Sequence, residues 1–129
     1  MRVKRTVDIL LSNYDEISAA CAFSYERKIA YTTENMQLTP EEADLILRAW
    51  NGEFTNFSVK HMPLMVALCD ERGLVTVNTE GATSMILGTG KGVWFVCVFA
   101  SMDADKFGIM QECVQAAKNL EASVSIFDV

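Results

Sequence analysis

The sequence predicts a single α+β domain in which helices cover both faces of one antiparallel sheet of about six strands. The chain has 129 residues, of which 50% are hydrophobic and 22% are charged, and this is the composition of one globular domain. Apolar residues recur at helical spacing at both ends and in the middle of the chain. Short apolar runs joined by tight turns lie between these segments, and such connections favour antiparallel pairing.

Three helices are predicted. The first covers residues 3–14, where apolar residues recur every three or four positions. The second carries the clearest local signal, because residues 39–42 read Thr-Pro-Glu-Glu and supply an N-cap hydroxyl, a proline at the first helical position and a capping-box glutamate. Asn51 and Gly52 end it, since both residue types tolerate the left-handed conformation. The last helix follows the acidic segment 101–105 and runs to about residue 121.

The strands are predicted from apolar runs that are bounded by turn residues. Residues 17–23 and 28–33 form a hairpin around a polar turn. Four further strands are predicted over residues 63–69, 74–79, 83–87 and 93–99. The segment 53–61 between these groups is read as one short helical turn, because Phe54 and Phe57 are three positions apart.

Charge and apolar run length exclude two classes of partner. The chain has 11 basic and 17 acidic residues, so its net charge is −6 at pH 7. Nucleic-acid binding is not expected, because phosphate contacts need a basic surface. The longest apolar run, residues 92–100, is far shorter than the roughly 20 residues that cross a bilayer, so the protein is not expected to span a membrane.

The residue types that carry catalysis or hold metals do not occur in productive patterns. The four cysteines have no C-x-x-C spacing, and we expect them to be buried, reduced thiols in a cytoplasmic protein; paired disulfides in a secreted protein are the alternative. His61 is the only histidine and is predicted to lie on the surface. The glycine-rich segment 88–92 leads into a strand and is therefore a hairpin turn rather than a phosphate-binding loop. We expect no enzymatic activity, no metal and no cofactor.

The last helix has apolar residues on two faces. Its inner stripe consists of Ile109, Cys113, Ala116, Ala117 and Leu120. A second stripe is formed by Phe107, Met110 and Val114, at positions i, i+3 and i+7. A second apolar stripe on a surface helix suggests a surface for a partner protein, and coverage by neighbouring loops is the alternative.

Three stretches of the chain resemble profilins, the small proteins that bind monomeric actin. Residues 17–33 look like the first profilin hairpin, with Ala19-Ala20 before the polar turn and Lys28-Ile29-Ala30 after it. Residues 38–42, followed by an apolar helix, resemble the start of the second profilin helix. The strands from residue 63 onward and the final helix follow the profilin order to the end of the chain. The resemblance covers nearly the whole chain and implies a profilin-like fold.

The resemblance also implies a function and a site. Profilins hold actin with the last helix, the short helix before the run of four strands, and the exposed face of the middle strands. Transferred by position, the resemblance implies a monomeric protein that binds one actin monomer and regulates actin polymerisation. The implied contact residues are Phe54, Phe57, Lys60, Asn78, Ser84, Lys106, Phe107, Met110, Gln111, Val114, Gln115 and Lys118.

The sequence departs from the family at the site for proline-rich peptides. Profilins bind these peptides between the first and last helices with an aromatic cluster, because proline rings pack on flat aromatic faces. Here the first helix has no Trp or Tyr near its start, Ile29 stands where the family has Trp, and the last helix ends without Tyr. Only Tyr14 and Phe127 remain to contribute. We therefore expect polyproline binding to be weak or absent, as in a short, divergent archaeal-type profilin.

Acidic phospholipids are a further partner to consider. Arg2, Lys4, Arg5, Arg27 and Lys28 would form a basic patch if the fold brought them together, and such a patch would bind these lipids weakly. A solvated surface is the alternative reading.

Two other classes of protein compete with this interpretation. A roadblock-type module, a dimerising scaffold or regulator of small GTPases, shares the hairpin, the following helix and the final helix. It usually has a longer second helix and three strands after it, whereas four strand-like runs follow here. A PAS-like sensor would need a hollow core with convergent polar groups, and the sequence shows none.

Overall fold

The computed structural model describes residues 2–123, which form three helices and one antiparallel sheet of seven strands. The helices are α1 (Arg2–Asn13), α2 (Pro40–Trp50) and α3 (Lys106–Ser123). The strands are β1 (Ile17–Ser24), β2 (Ile29–Thr32), β3 (Asn56–Val59), β4 (Met62–Cys69), β5 (Gly73–Asn78), β6 (Thr83–Thr89) and β7 (Trp94–Ser101). The α+β class, the predicted helices and the order of elements are confirmed.

The strands lie in the order β2-β1-β7-β6-β5-β4-β3. Every neighbouring pair is antiparallel, and β7 closes the sheet by pairing with both β1 and β6. The first hairpin and the last four strands are therefore where the sequence predicts them. Strand β3 is the one that the sequence analysis missed.

The short helical turn predicted over residues 53–61 is wrong. Residues 56–59 alternate between exposed and buried, which is the period of a strand. They pair with β4 through a tight turn in which Lys60 and His61 both adopt positive φ, at 53° and 65°. The pairing satisfies the backbone of β4, which would otherwise be an open sheet edge. His61 is exposed, as predicted.

The helices divide between the two faces of the sheet, and each face has its own core. Helices α1 and α3 pack together on one face, over Val75, Ile86 and Val98. The predicted inner stripe of α3 is buried there. Helix α2 covers the other face, over Phe23, Leu87 and Phe95. We refer to these as the α3 side and the α2 side.

Two glycines allow α3 to approach the sheet closely. A β-carbon placed on Gly88 would lie 2.3 Å from the backbone nitrogen of Val114, and one on Gly73 would lie 2.2 Å from the sulfur of Met110. At Gly88 the obstacle is helix backbone, so only glycine fits beneath α3 there, whereas at Gly73 the Met110 side chain would have to move. Residues 88–92 connect β6 to β7 as predicted.

Three of the four cysteines are buried and one is not. Cys21, Cys97 and Cys113 are buried free thiols, and burial raises the pKa of both Cys97 and Cys113. Cys69 is exposed, which contradicts the prediction that all four are buried. It stands at the end of β4, beside the C-terminal end of α2. Within residues 2–123, no helix combines the length and apolar character needed to cross a membrane.

Candidate functional site

An exposed apolar surface lies beside α3, where the sheet extends past the helix. Helix α3 packs on β5, β6 and β7, and leaves β4 uncovered. Of the five large hydrophobic side chains exposed within residues 2–123, three belong to this region: Met65 at 41%, Leu68 at 38% and Phe107 at 57% exposure. A group of exposed apolar side chains of this kind is typical of surfaces at which another molecule docks.

Strand register brings these side chains to one face. Met65 is opposite Val77, and Leu68 is opposite Val75, which packs in the α3-side core. The register of β4 shifts between Val66 and Leu68. This bulge inserts one extra residue, so that Met65 and Leu68 both point to the α3 side although they are three positions apart. Strict alternation would have placed them on opposite faces.

Polar side chains surround the apolar centre. Gln111 and Lys118 are exposed on α3, and Arg72 is exposed on the turn between β4 and β5. This turn and the helix enclose a groove of 550 Å³, which these three side chains line together with Met110 and Val114. We call the whole area the α3-side surface and define it by Met65, Leu68, Val77, Phe107, Gln111 and Lys118.

Four of the predicted contact residues lie on the other side of the sheet. Phe57 is buried in the α2-side core, and Phe54 packs beside it with the ring centroids 5.9 Å apart. The ammonium group of Lys60 donates to the carbonyl of Gln37 at 2.6 Å, next to the start of α2. Asn78 is opposite the buried Leu64 and accepts a hydrogen bond from the backbone of Glu80. The sheet separates these residues from α3.

Three more predicted residues lie on the α3 side but are covered. Met110 is 1% exposed, Val114 is 7% exposed and Ser84 is fully buried, with its hydroxyl 3.0 Å from the sulfur of Met102. The second stripe of α3 is therefore an outer stripe only at Phe107. Strands β5 and β6, rather than loops, cover Met110 and Val114. Gly73 and Gly88 in these strands let α3 lie close to the sheet.

The remaining predicted residues are accessible on α3. Phe107, Gln111, Gln115 and Lys118 are exposed, and Lys106 is half-buried with its ammonium group donating to the carbonyl of Met102 at 2.6 Å. Met65, Leu68 and Val77 were missed. For Met65 and Leu68 the signal in the sequence is that β4 is apolar on both faces, a pattern that an ordinary buried strand shares.

Among residues 2–123, no aromatic side chain lines the groove between α1 and α3. It has a volume of 800 Å³ and is lined, within residues 2–123, by Arg2, Arg5, Thr6, Ile9, Asn119, Ala122 and Ser123. Tyr14 is half-buried against the α3-side core, and burial, together with nearby Glu112 and Asp105, raises the pKa of its hydroxyl. Phe127, the other aromatic residue considered for this groove, lies outside the described residues.

The basic residues of the predicted lipid patch are partly paired with acidic ones. Lys4 lies 2.8 Å from Asp8, one turn further along α1, and this hydrogen bond raises the pKa of Lys4. Arg27 lies 3.1 Å from Asp44 of α2. Arg2 and Arg5 line the groove between α1 and α3.

The sheet order and the division of the helices between its faces define the profilin fold. No family model and no curated protein matches the sequence, whereas solved profilin structures match its three-dimensional arrangement. Loki profilin 2, solved in complex with rabbit actin, has a TM-score of 0.83 at 17% identity, over 95% of this chain and 98% of that one.

Two further structures illustrate the range of the likeness. Loki profilin 1, also in complex with rabbit actin, has a TM-score of 0.82 at 16% identity, over 95% of this chain and 96% of that one. Mouse profilin IIa, in complex with a double repeat from the FH1 domain of mDia1, has a TM-score of 0.73 at 16% identity, over 93% and 96% of the two chains.

Proposed function

We propose that this protein binds one actin monomer through the α3-side surface and regulates actin polymerisation in the cytoplasm. The observation that carries the proposal is the cluster of Met65, Leu68 and Phe107, exposed beside α3 on a profilin fold. The two Loki profilins with the same fold were solved in complexes with rabbit actin, which supports the choice of partner.

The surface has the anatomy of a specific protein interface. Each large apolar side chain contributes about 1.5–3 kcal/mol when it is fully buried. Polar side chains at the rim fix the orientation of the partner and exclude water from the apolar centre. Gln111, Gln115, Lys118 and the partly buried Lys106 form such a rim on α3. The contact set that we propose therefore retains the exposed residues of α3 and adds Met65, Leu68 and Val77.

Residues beneath and behind this surface have supporting roles in the proposal. Met110, Val114 and Ser84 hold α3 against the sheet and set the height of Phe107 above it. Phe54, Phe57, Lys60 and Asn78 stabilise the α2 side and make no contact with actin.

Calorimetric titration with monomeric actin tests the proposal. Phe107→Asp places a charge in the apolar centre, and we expect it to weaken binding at least about 100-fold, because an unpaired charge in a desolvated interface is costly. Ile9→Asp is the matched control, since Ile9 is 51% exposed on α1, away from the α3-side surface. It should bind like the wild type. Equal loss in both variants, or no loss in either, would place the actin contact elsewhere.

The lining of the α1–α3 groove and the ion pairs of the basic residues predict how strongly two further partners bind. Binding of proline-rich peptides is weak or absent, because the described lining of the groove offers polar and aliphatic groups where proline rings need aromatic faces. Acidic phospholipids bind weakly, since Lys4 and Arg27 already have acidic partners.

A further inference from the structure

A second concave site lies on the α2 side, at the end of the sheet furthest from the β3–β4 turn. Its volume is 520 Å³, which is within the range of small-molecule sites. It is enclosed by the end of α2, the β1–β2 turn, the β4–β5 turn and the β6–β7 loop. We call it the aromatic pocket, because Tyr25, Trp50 and Phe95 line it together with Leu47.

The aromatic rings of the pocket form a fixed framework. Phe95 stacks on Phe23, with centroids 5.4 Å apart and planes at 12°. Trp50 meets Phe95 edge to face, at 5.5 Å and 73°. Phe95 and Leu47 are nearly covered, whereas Tyr25 is 43% exposed at the mouth. A flat apolar group would therefore find ring surface on several sides, in the geometry that aromatic pairs prefer.

Hydrogen bonds hold the walls of the pocket in place. The indole nitrogen of Trp50 donates to the carbonyl of Asp70 at 2.7 Å, and the thiol of Cys69 donates to the carbonyl of Trp50 at 3.3 Å. These two bonds tie α2 to the β4–β5 turn. On the opposite wall, the hydroxyl of Thr89 donates to the carbonyl of Trp94 at 2.7 Å. A site that is already formed loses little entropy when a ligand binds.

The β6–β7 loop, which forms this opposite wall, is fixed from the α3 side. The carboxylate of Glu121 accepts hydrogen bonds from the backbone nitrogens of Lys91, Val93 and Trp94, at 2.9 to 3.1 Å. Gly92 donates to the hydroxyl of Thr89 at 3.0 Å. Both ends of the loop are therefore restrained beside the pocket.

The charges at the mouth favour a cation. The guanidinium of Arg27 is already occupied, because it donates to Asp44 at 3.1 Å and to the carbonyl of Tyr25 at 2.6 Å. One carboxylate oxygen of Asp70 accepts from the backbone nitrogens of Arg72 and Gly73. The carboxylate of Glu71 lines the pocket, is exposed, and has no side-chain partner within residues 2–123. Glu71 therefore offers a carboxylate with both oxygens available, whereas Asp70 has already committed one of its two.

We propose that the aromatic pocket binds a small aryl-alkyl ammonium compound, with its ring against Trp50 and Phe95 and its ammonium group at the carboxylate of Glu71. Tyr25 at the mouth adds a π-face, and π-faces attract cations. The ligand needs no contact with Met65 or Phe107 on the α3 side, although Glu71 in the β4–β5 turn lines both the aromatic pocket and the groove beside α3. The test of this proposal uses no actin, so its failure is distinguishable from a failure of the proposed actin binding.

Three probes of matched shape test the proposal: 2-phenylethylamine, 2-phenylethanol and 3-phenylpropionate. Each is titrated into the full-length protein while backbone and indole N–H resonances are followed by NMR. We expect the amine to shift the Trp50 indole and the backbone of the β6–β7 loop saturably, and the carboxylate to bind about tenfold more weakly or worse. The indole of Trp94, buried on the α3 side, serves as an internal control.

Substitutions at two exposed residues test which side chains bind the ammonium group and the ring. Glu71→Gln should remove the preference for the amine over the alcohol while leaving binding of the alcohol unchanged. Tyr25→Ala should weaken all three probes. Glu41→Gln, an exposed carboxylate at the start of α2, should change nothing. Equal affinity for the three probes, shifts outside the pocket, no saturable shift, or an unaltered preference in Glu71→Gln would each overturn the proposal.

Discussion

Glu42 shows how one side chain can secure several parts of the chain. It is the capping-box residue that the sequence predicts, and its carboxylate accepts a hydrogen bond from the backbone of Thr39 at 2.9 Å. It also accepts from the backbone of Lys60 at 3.2 Å and lies 3.1 Å from the ammonium group of that residue. One carboxylate thus joins the start of α2 to the β3–β4 turn.

These contacts make the contribution of Glu42 depend on pH. Burial alone would raise its pKa, but the hydrogen bonds from Thr39 and Lys60 outweigh burial and lower it below the usual 4.5. The stabilisation is therefore complete above that value and is lost as the pH falls through the folded-state pKa. We expect Glu42→Gln to lower the free energy of unfolding by about 1 kcal/mol at neutral pH.

Urea unfolding at about pH 7 and about pH 3 measures this difference. The gap between Glu42→Gln and the wild type should narrow at the lower pH, where the wild-type carboxylate is being protonated. Glu41→Gln, at an exposed neighbouring position, should match the wild type at both. A gap that stays constant would show that the charge of Glu42 does not matter.

A second prediction at the residue scale separates Met65 from Met110. The sequence favours Met110 as a contact residue, but this side chain is 1% exposed whereas Met65 is 41% exposed. Met110→Asp should therefore unfold the protein, because burying an unpaired charge costs more than a small domain can tolerate. Met65→Asp should remain folded and lose actin binding. Thermal melts followed by circular dichroism, and actin titration of the folded variant, would reveal the reverse pattern if Met110 were the contact.

At the scale of elements, the contact between α3 and the sheet depends on glycine. Gly88→Ala would push a β-carbon into the backbone of α3. Backbone atoms cannot relieve this clash by a change of rotamer, as a side chain could. We expect the free energy of unfolding to fall by about 3 kcal/mol. Gly81→Ala is the control, since the nearest atom there is the amide nitrogen of the Asn78 side chain, which can rotate away. Equal stability of the two variants would mean that α3 shifts freely on the sheet.

The elements also show where the sequence is informative. The capping box, the turn residues and the apolar runs predicted the three helices and six of the seven strands. Strand β3 was missed because Phe54 and Phe57 fit a helical turn as well as a strand edge, and only the pairing with β4 decides between them. Periodicity cannot resolve such short apolar segments.

The candidate site was harder to predict for a related reason. Helical spacing correctly placed Phe107, Gln111 and Lys118 on one face of α3. Helical spacing could not show that glycines on β5 and β6 would let α3 approach the sheet so closely that Met110 and Val114 are buried. The bulge in β4 exposes Met65 and Leu68, and a bulge has no signature in an all-apolar strand. Side-chain spacing predicts the faces of a single helix or strand, whereas the candidate site combines side chains from α3 and from the strands beside it.

At the scale of the whole molecule, two surfaces of different character lie on opposite flanks of α3. The α3-side surface is apolar with a polar rim, and the groove between α1 and α3 has no aromatic ring in its described lining. We therefore expect an oligoproline peptide to give no binding heat in calorimetry at concentrations up to about 1 mM, where weak complexes are still detected. A saturating heat signal would show that an aromatic cluster forms in this groove after all.

Sedimentation velocity of the protein, alone and mixed with monomeric actin, tests the central claim most directly. We predict a monomer that moves into a one-to-one complex when actin is added, and that Phe107→Asp remains a monomer beside free actin. A stable homodimer that ignores actin would contradict this account. It would show instead that the α3-side surface joins two copies of this chain, as in a roadblock-type dimeriser.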